Sequence, residues 1–259
     1  MPATSSASPP TLILRPADQR FHTQLDWLES WHSFSFAGHH DPAWMGFGPL
    51  RVINDDVIAS GRGFGMHPHR DMEIVTVMVE GELTHADSMG HSAVLRAGEV
   101  QRMSAGTGIV HSEINRSDQA CRLLQIWIEP ERIGINPAYE QQPIAIGNDW
   151  TPLIDPDGSN GAMATASATR MWRARPQPQQ SLALPETQGT GLWIQVIHGE
   201  LELRSTDGSS QQLHSGDGAG LIDAERGDFS LEALDATTDV LLLSLAGVQP
   251  RRNPLSSDA

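Results

Sequence analysis

The sequence predicts an all-β chain folded as two antiparallel jelly-roll β-barrel domains with few short helices. Three observations carry this. Short apolar or alternating runs bounded by Gly, Asn and Asp recur along the chain, among them "EIVTVMVEGELTHAD", "AVLRAGEVQRM", "RLLQIWIEP", "GLWIQVIHGELELRS" and "DVLLLSLAG". Such runs read as strands of a sandwich or barrel. Helical periodicity is scarce. Finally, the chain repeats itself: "TVMVEGELTHAD" from Thr76 aligns with "IQVIHGELELRS" from Ile194, each placing Gly-Glu-Leu after an apolar strand, at Gly81 and Gly199. Seventeen residues later each copy has another glycine before an acid, Gly98-Glu99 and Gly216-Asp217.

Taken in order, the ends "ATSSASPP" and "RRNPLSSDA" are expected to fray or pack loosely. The segment "DQRFHTQLDWLES" from Asp18 is the early candidate for a helix. Each copy of the repeat then offers hairpins joined by Gly-containing turns, as a small jelly roll requires. Between the copies, "NPAYEQQPI" near Asn136 reads as a loop or short turn, and "DPDGSNG" (155–161) as an exposed turn. The boundary is expected inside this junction, giving an N-terminal domain over 1–135 and a C-terminal domain over 136–259.

With 259 residues, 39% hydrophobic and 19% charged, the chain suits a globular protein with a full core. Its 32 acidic and 17 basic side chains give a formal charge of -15. That field repels phosphate backbones and anionic bilayers, so neither direct nucleic-acid binding nor membrane binding is expected. The start "MPATSSASPP" lacks a basic region followed by an apolar one, and no apolar run approaches about 18 residues. A cytoplasmic monomer is the expectation. The single cysteine, Cys121, excludes an intramolecular disulfide and is expected to pack as a small apolar group ahead of "RLLQIWI".

The chemistry gathers around "GFGMHPHRDME". Side chains at i and i+2 of a strand share a face, and Pro68 favours an extended residue before it, so His67 and His69 point the same way. A second i/i+2 pair, His111 and Glu113, lies in "GIVHSEIN". On neighbouring strands the two pairs supply three imidazoles and one carboxylate to one point. That set suits a divalent transition metal such as Fe, Mn, Co, Ni, Cu or Zn and leaves positions open on an octahedral ion. With Glu113 ionised the shell carries a formal +1, which attracts a phenolate or enolate.

Other features read more plainly. His85 and His91, in "LTHADSMGHSA", are expected at the surface, with His85 at most bordering the pocket mouth. His198 and His214 are expected to be solvated, and His39 and His40, being adjacent, face opposite ways. Met66, Met72, Met78 and Met103 are core fillers, with Met103 and Phe47 expected to line the cavity. Neither "GRGFG" nor "AGTGIV" opens a helix after a strand, and no "GxSxG" elbow occurs, so dinucleotide binding and serine hydrolysis are not expected.

The run "HPHRDMEIVTVMVEGELTHADSMG", followed by "GEVQRMSAGTGIVHSEIN", resembles the pirin branch of the cupin superfamily. The upstream "MGFGPLRVINDD" and the downstream "LLQIWI" add to the resemblance, which spans Ser33 to Tyr139 and weakens in the second copy. It implies a bicupin whose metal ligands fall on His67, His69, His111 and Glu113, the four already selected. Glu73 stands where many other cupins keep the carboxylate and is a reserve ligand. Shifting by the Gly81-to-Gly199 offset sets Pro185 and Thr187 opposite the paired histidines, and Phe229 and Leu231 opposite His111 and Glu113. The second cupin is therefore expected to be metal-free.

The activity implied is that of a quercetin 2,3-dioxygenase. O2 opens the heterocyclic ring of a flavonol such as quercetin with release of carbon monoxide. Fe(II) is the expected ion, and Glu113 is both ligand and proton acceptor, as the one carboxylate expected at the reacting centre. The alternative is a metal-dependent regulatory or redox-sensing protein acting in transcription through a protein partner. Tyr139 is expected to pack across the domain junction.

Overall fold

From Glu73 to Val79 every residue is buried, and the strand Glu73–Glu80 shows no inside-outside alternation. It is covered on both faces. In the computed structural model, which describes residues 11–185, 191–223 and 228–249, two seven-stranded sheets face one another and each carries a four-stranded sheet on its other side. The side chains of Val75, Val77 and Val79 enter the core between the large sheets, whereas Ile74 and Met78 point into the first barrel. The same parity divides Cys121–Ile128: Leu124, Ile126 and Ile128 face the second half, and Leu123, Gln125 and Trp127 face the barrel interior.

The first large sheet runs 138–143, 99–104, 73–80, 121–128, 50–58, 28–32, 21–24, and its small sheet runs 63–69, 109–114, 82–87, 92–96. In the second half the small sheet runs 181–183, 229–233, 200–205, 210–214, the same order displaced by the Gly81-to-Gly199 offset. The expected repeat is thus a repeat of topology. Helix is confined, among the described residues, to three 3-10 turns of three residues each. Among the described residues no helix is long and apolar enough to cross a membrane.

Two expectations change. The stretch from Asp18 is no helix: after a 3-10 turn at Ala17–Gln19 it forms the hairpin Phe21–Gln24 and Leu28–His32, paired onto Leu50–Ile58. The aromatic and β-branched Phe21, Thr23 and Trp31 suit a strand, and the edge of a sheet outweighs a weak helical spacing. The "AYEQQP" stretch, read as a loop, is the strand Ala138–Pro143 on Glu99–Ser104. It joins the first sheet from beyond residue 135, while Thr11–Arg15 pairs with Gly218–Ile222 in the second.

Between the large sheets, Asp55 holds Arg122 through two bonds of 2.8 and 2.9 Å and lies 3.6 Å from Arg20. Arg122 also donates to the Ile197 carbonyl and approaches His198 Nε2 at 3.0 Å. His198, expected to be solvated, is thus half-buried at the junction. Cys121 is buried as expected, its thiol pushed up to about 11 by desolvation. Phe47 packs on Trp193 between the sheets and Met103 packs with Ile74 and Ala105, so neither lines the cavity.

Candidate metal centre

The strand Gly63–His69 pairs antiparallel with Ile109–Ile114, placing His111 opposite His67 and Ile109 opposite His69. A bulge between His111 and Glu113 breaks the register there. Gly63, at φ +152, makes the approach possible, since a Cβ on it would stand 2.2 Å from the Glu113 carbonyl oxygen.

The rings of His67, His69 and His111 converge, with centroids 4.8, 4.4 and 4.9 Å apart. One nitrogen from each lies within 4.8 Å of the others. His67 Nδ1 donates to the Gly65 carbonyl at 2.8 Å, which leaves Nε2 with its lone pair. His111 is 1% exposed, and neither of its ring nitrogens has a hydrogen-bond partner. Burial, and then the neighbouring imidazoles, hold His69 down to about 4 and His111 to about 3, so both are neutral and able to bind a cation. An orphaned imidazole lone pair in a buried polar cluster is what a metal would satisfy.

Glu113 meets this group from the other side. It forms a second buried triad with His111 and His85, again within 4.8 Å, so Glu113 is grouped with His111 and His85 and not with His67 and His69, and the two triads share His111. Its Oε2 accepts from Gln125 at 2.7 Å, and its Oε1 lies 3.2 Å from Thr76 Oγ1 and 3.3 Å from Gln101 Nε2. Burial raises its pKa against these donors. Glu73 is not in the cluster. It has the parity of Val75, faces the second half, and accepts from Ser104 and Thr165.

His85 is the residue that sequence reasoning misplaced. It is 1% exposed, because Leu83, His85 and Asp87 are the inward positions of Glu82–Asp87. Its Nε2 is 3.1 Å from Asp87 Oδ2, and its Nδ1 is buried without a partner. Asp87 also accepts from His91 Nδ1 and from the backbone N–H groups of Met89 and His91. Burial alone would raise the Asp87 carboxyl, but the bonds from His85 and His91 outweigh it and hold it low. Tyr139 stacks on His85 and His91 at 4.6 and 4.9 Å, so it braces this wall of the first barrel and not the domain junction. The signal was the alternation Leu-x-His-x-Asp.

Beside the imidazoles lies a cavity of about 150 Å³. Phe36, Phe64 and Trp127 form apolar walls, and His67, His69, Glu113 and Gln125 a polar side. Asn54 and Asp56 also face it, so Glu113 is not the lone carboxylate there, a residue pair that the run "RVINDDVI" concealed. Desolvation lifts Asp56 to about 7. The second barrel has no counterpart among the described residues: Phe229 and Leu231 are apolar core, Pro185 is half-buried, and Thr187 lies outside the described residues.

The chain is similar to proteins of known family. The Pirin family model matches residues 15–128, and the model for the quercetinase C-terminal cupin domain matches residues 153–245. A quercetin 2,3-dioxygenase of Escherichia coli (strain K12) is 42% identical over 239 residues, 92% of this chain and 100% of that one. A putative quercetin 2,3-dioxygenase of Pasteurella multocida is 42% identical over 185 residues, 70% of this chain and 79% of that one. The crystal structure of the bacterial pirin YhhW from Escherichia coli in complex with nickel(II) superposes with a TM-score of 0.85 at 40% identity, covering 92% of this chain and 100% of that one.

Proposed function

From the premise that the chain belongs to the pirin family, we propose that it is a metal-dependent dioxygenase that opens the ring of a flavonol such as quercetin with O2 and releases carbon monoxide. The observation that carries this is the convergence of His67, His69 and His111 beside an aromatic-walled cavity. His67, His69, His111 and Glu113 are the proposed ligands and Fe(II) the proposed ion, with nickel(II) the first alternative because a relative's crystal structure is a complex with it.

A bound divalent ion supplies positive charge that favours the ionised form of a hydroxyl. The remaining work belongs to the chain. Phe36, Phe64 and Trp127 form a slot that takes flat rings and excludes water. Glu113 accepts the hydroxyl proton, its raised pKa making it a stronger base than an ordinary carboxylate.

The test is direct. Purified protein reconstituted with each divalent metal is given quercetin and O2, and carbon monoxide and residual quercetin are measured. Turnover with at least one metal is expected, lost in His67→Ala and Glu113→Ala together with the metal. A protein that holds metal yet consumes no quercetin with any ion would refute the proposal.

A further inference from the structure

The donors around Glu113 offer its proton no onward path: Thr76, Gln101 and Gln125 are all buried. Asp56, on the same cavity and 2% exposed, is connected differently. Ser30, opposite it on Leu28–His32, donates its hydroxyl to Asp56 Oδ1. Ser30 Oγ is 3.3 Å from His32 Nδ1, which is also 2.8 Å from Asn54 Oδ1. The far nitrogen, His32 Nε2, is 2.9 Å from Thr23 Oγ1, and Thr23 Oγ1 is 2.9 Å from His39 Nε2. His32 is 3% exposed, whereas Thr23 and His39 are half-buried, Thr23 on the edge strand of the sheet.

The direction of each bond follows from chemistry. An amide oxygen only accepts, so Nδ1 of His32 carries the hydrogen and Nε2 the lone pair. Thr23 therefore donates to Nε2 and accepts from His39 Nε2–H. On the inner side Nδ1–H is shared between Asn54 and Ser30, whose own hydrogen goes to Asp56. Every donor along the chain points toward the cavity.

We propose that Asp56, Ser30, His32, Thr23 and His39 form a proton relay between the cavity and solvent. The proposal rests on the dioxygenase reading, in which a flavonol hydroxyl loses one proton and the carboxylate of the ring-opened ester regains one. In the arrangement seen, a proton taken up at His39 moves inward. The His39 Nε2 proton passes to Thr23 as Thr23's own proton passes to His32 Nε2, the Nδ1 proton passes to Ser30, and Ser30's proton forms an O–H bond on Asp56, which releases it to the product carboxylate. Each donor is then reversed. The next flavonol O–H breaks with its electron pair left on oxygen, its proton is taken by Glu113 and handed across the shared cavity to Asp56, and the reversed chain returns a proton to solvent at His39. The carboxylates whose charge Asp56 feels are Asp55, on the opposite face of its strand and held by Arg122, and Glu113 across the cavity. All five relay members are positioning or proton-passing groups, with Asp56 alone touching the cavity.

The test uses full-length protein loaded with the ion that supports turnover, given quercetin and O2 over many turnovers while loss of the flavonol is followed by absorbance. Thr23→Val and Ser30→Ala each remove one hydroxyl. Steady-state turnover is expected to slow by about 100-fold, the low end of positioned proton transfer. Metal content and quercetin affinity should be unchanged, and added imidazole should restore the rate. Wild-type rates in both variants, or slowing that imidazole does not relieve, would overturn the relay. Should the wild type not consume quercetin, the dioxygenase reading falls and the relay is judged on ¹⁵N NMR of His32. The hydrogen must sit on Nδ1, and its exchange with solvent must slow in Thr23→Val; an Nε2–H tautomer or unchanged exchange overturns it.

Discussion

Replacing His111 by leucine separates what this side chain costs the metal-free protein from what it gives the loaded one. Both ring nitrogens are buried without a partner. A buried polar atom left unsatisfied costs about 1–3 kcal/mol, so the pair costs about 2–6 kcal/mol before a metal arrives. Leucine has a similar volume and nothing to satisfy, and repacking around it costs up to about 1.5 kcal/mol. Without metal, His111→Leu is therefore expected to be more stable than wild type by roughly 0.5–6 kcal/mol, and each kcal/mol moves Tm by about 2–4 °C in a chain of this size. With metal at 1,000 times Kd, the wild type gains about 4 kcal/mol and the variant nothing, so the variant's advantage shrinks by about that amount. Calorimetry in EDTA and in nickel(II) reads both arms. A variant less stable than wild type in EDTA, or one whose Tm rises with nickel as the wild type's does, refutes the reasoning.

Further expectations concern pH, the braced histidine and one turn. In the metal-free protein, His69 at about 4 and His111 at about 3 refuse protons that the unfolded chain accepts near 6.5, so stability falls as pH drops from 6.5 toward 3. Asp56 acts oppositely. Its folded value of about 7 lies above the ordinary 3.8, so its term weakens the fold as pH rises from 3.8 through 7. Urea midpoints in EDTA should rise at pH 8 in Asp56→Asn, and no rise there counts against its burial as the cause. His85→Ala and Asp87→Asn should each weaken metal binding about 10–100-fold in chelator competition, as loss of a supporting shell does. Unchanged affinity would make that wall mere packing. Gly81→Ala should cost about 1–3 kcal/mol in urea unfolding, since Gly81 sits at φ +73 with a would-be Cβ 2.8 Å from Cys121 Cβ.

The strand arithmetic that joined His67 to His69 needed only a period of two, and the repeat required only matching glycines, so both were legible along the chain. What escaped was set by neighbours distant in sequence. "RVINDDVI" reads as a buried strand with two stray acids; only the sheet pairing shows that Asp56 faces the cavity and Asp55 the second half. His85 looked like part of a turn because the inward parity of its strand is fixed by pairing with Ile109–Ile114. The hairpin from Phe21 to His32 was lost to a weak helical spacing, and with it the residues that link Asp56 to the surface.

The exchange of Thr11–Arg15 and Ala138–Pro143 across the midpoint has a practical consequence for recombining such chains. A chimera that takes its C-terminal half from a relative by one cut near residue 135 would keep the host's first strand and import the donor's Ala138–Pro143. Each sheet would then end on a strand selected in another context, exposing a mismatched edge to pairing with other molecules. A graft that respects the fold needs two junctions, one after Arg15 and one after Pro143, so that each half travels with the strand that closes it.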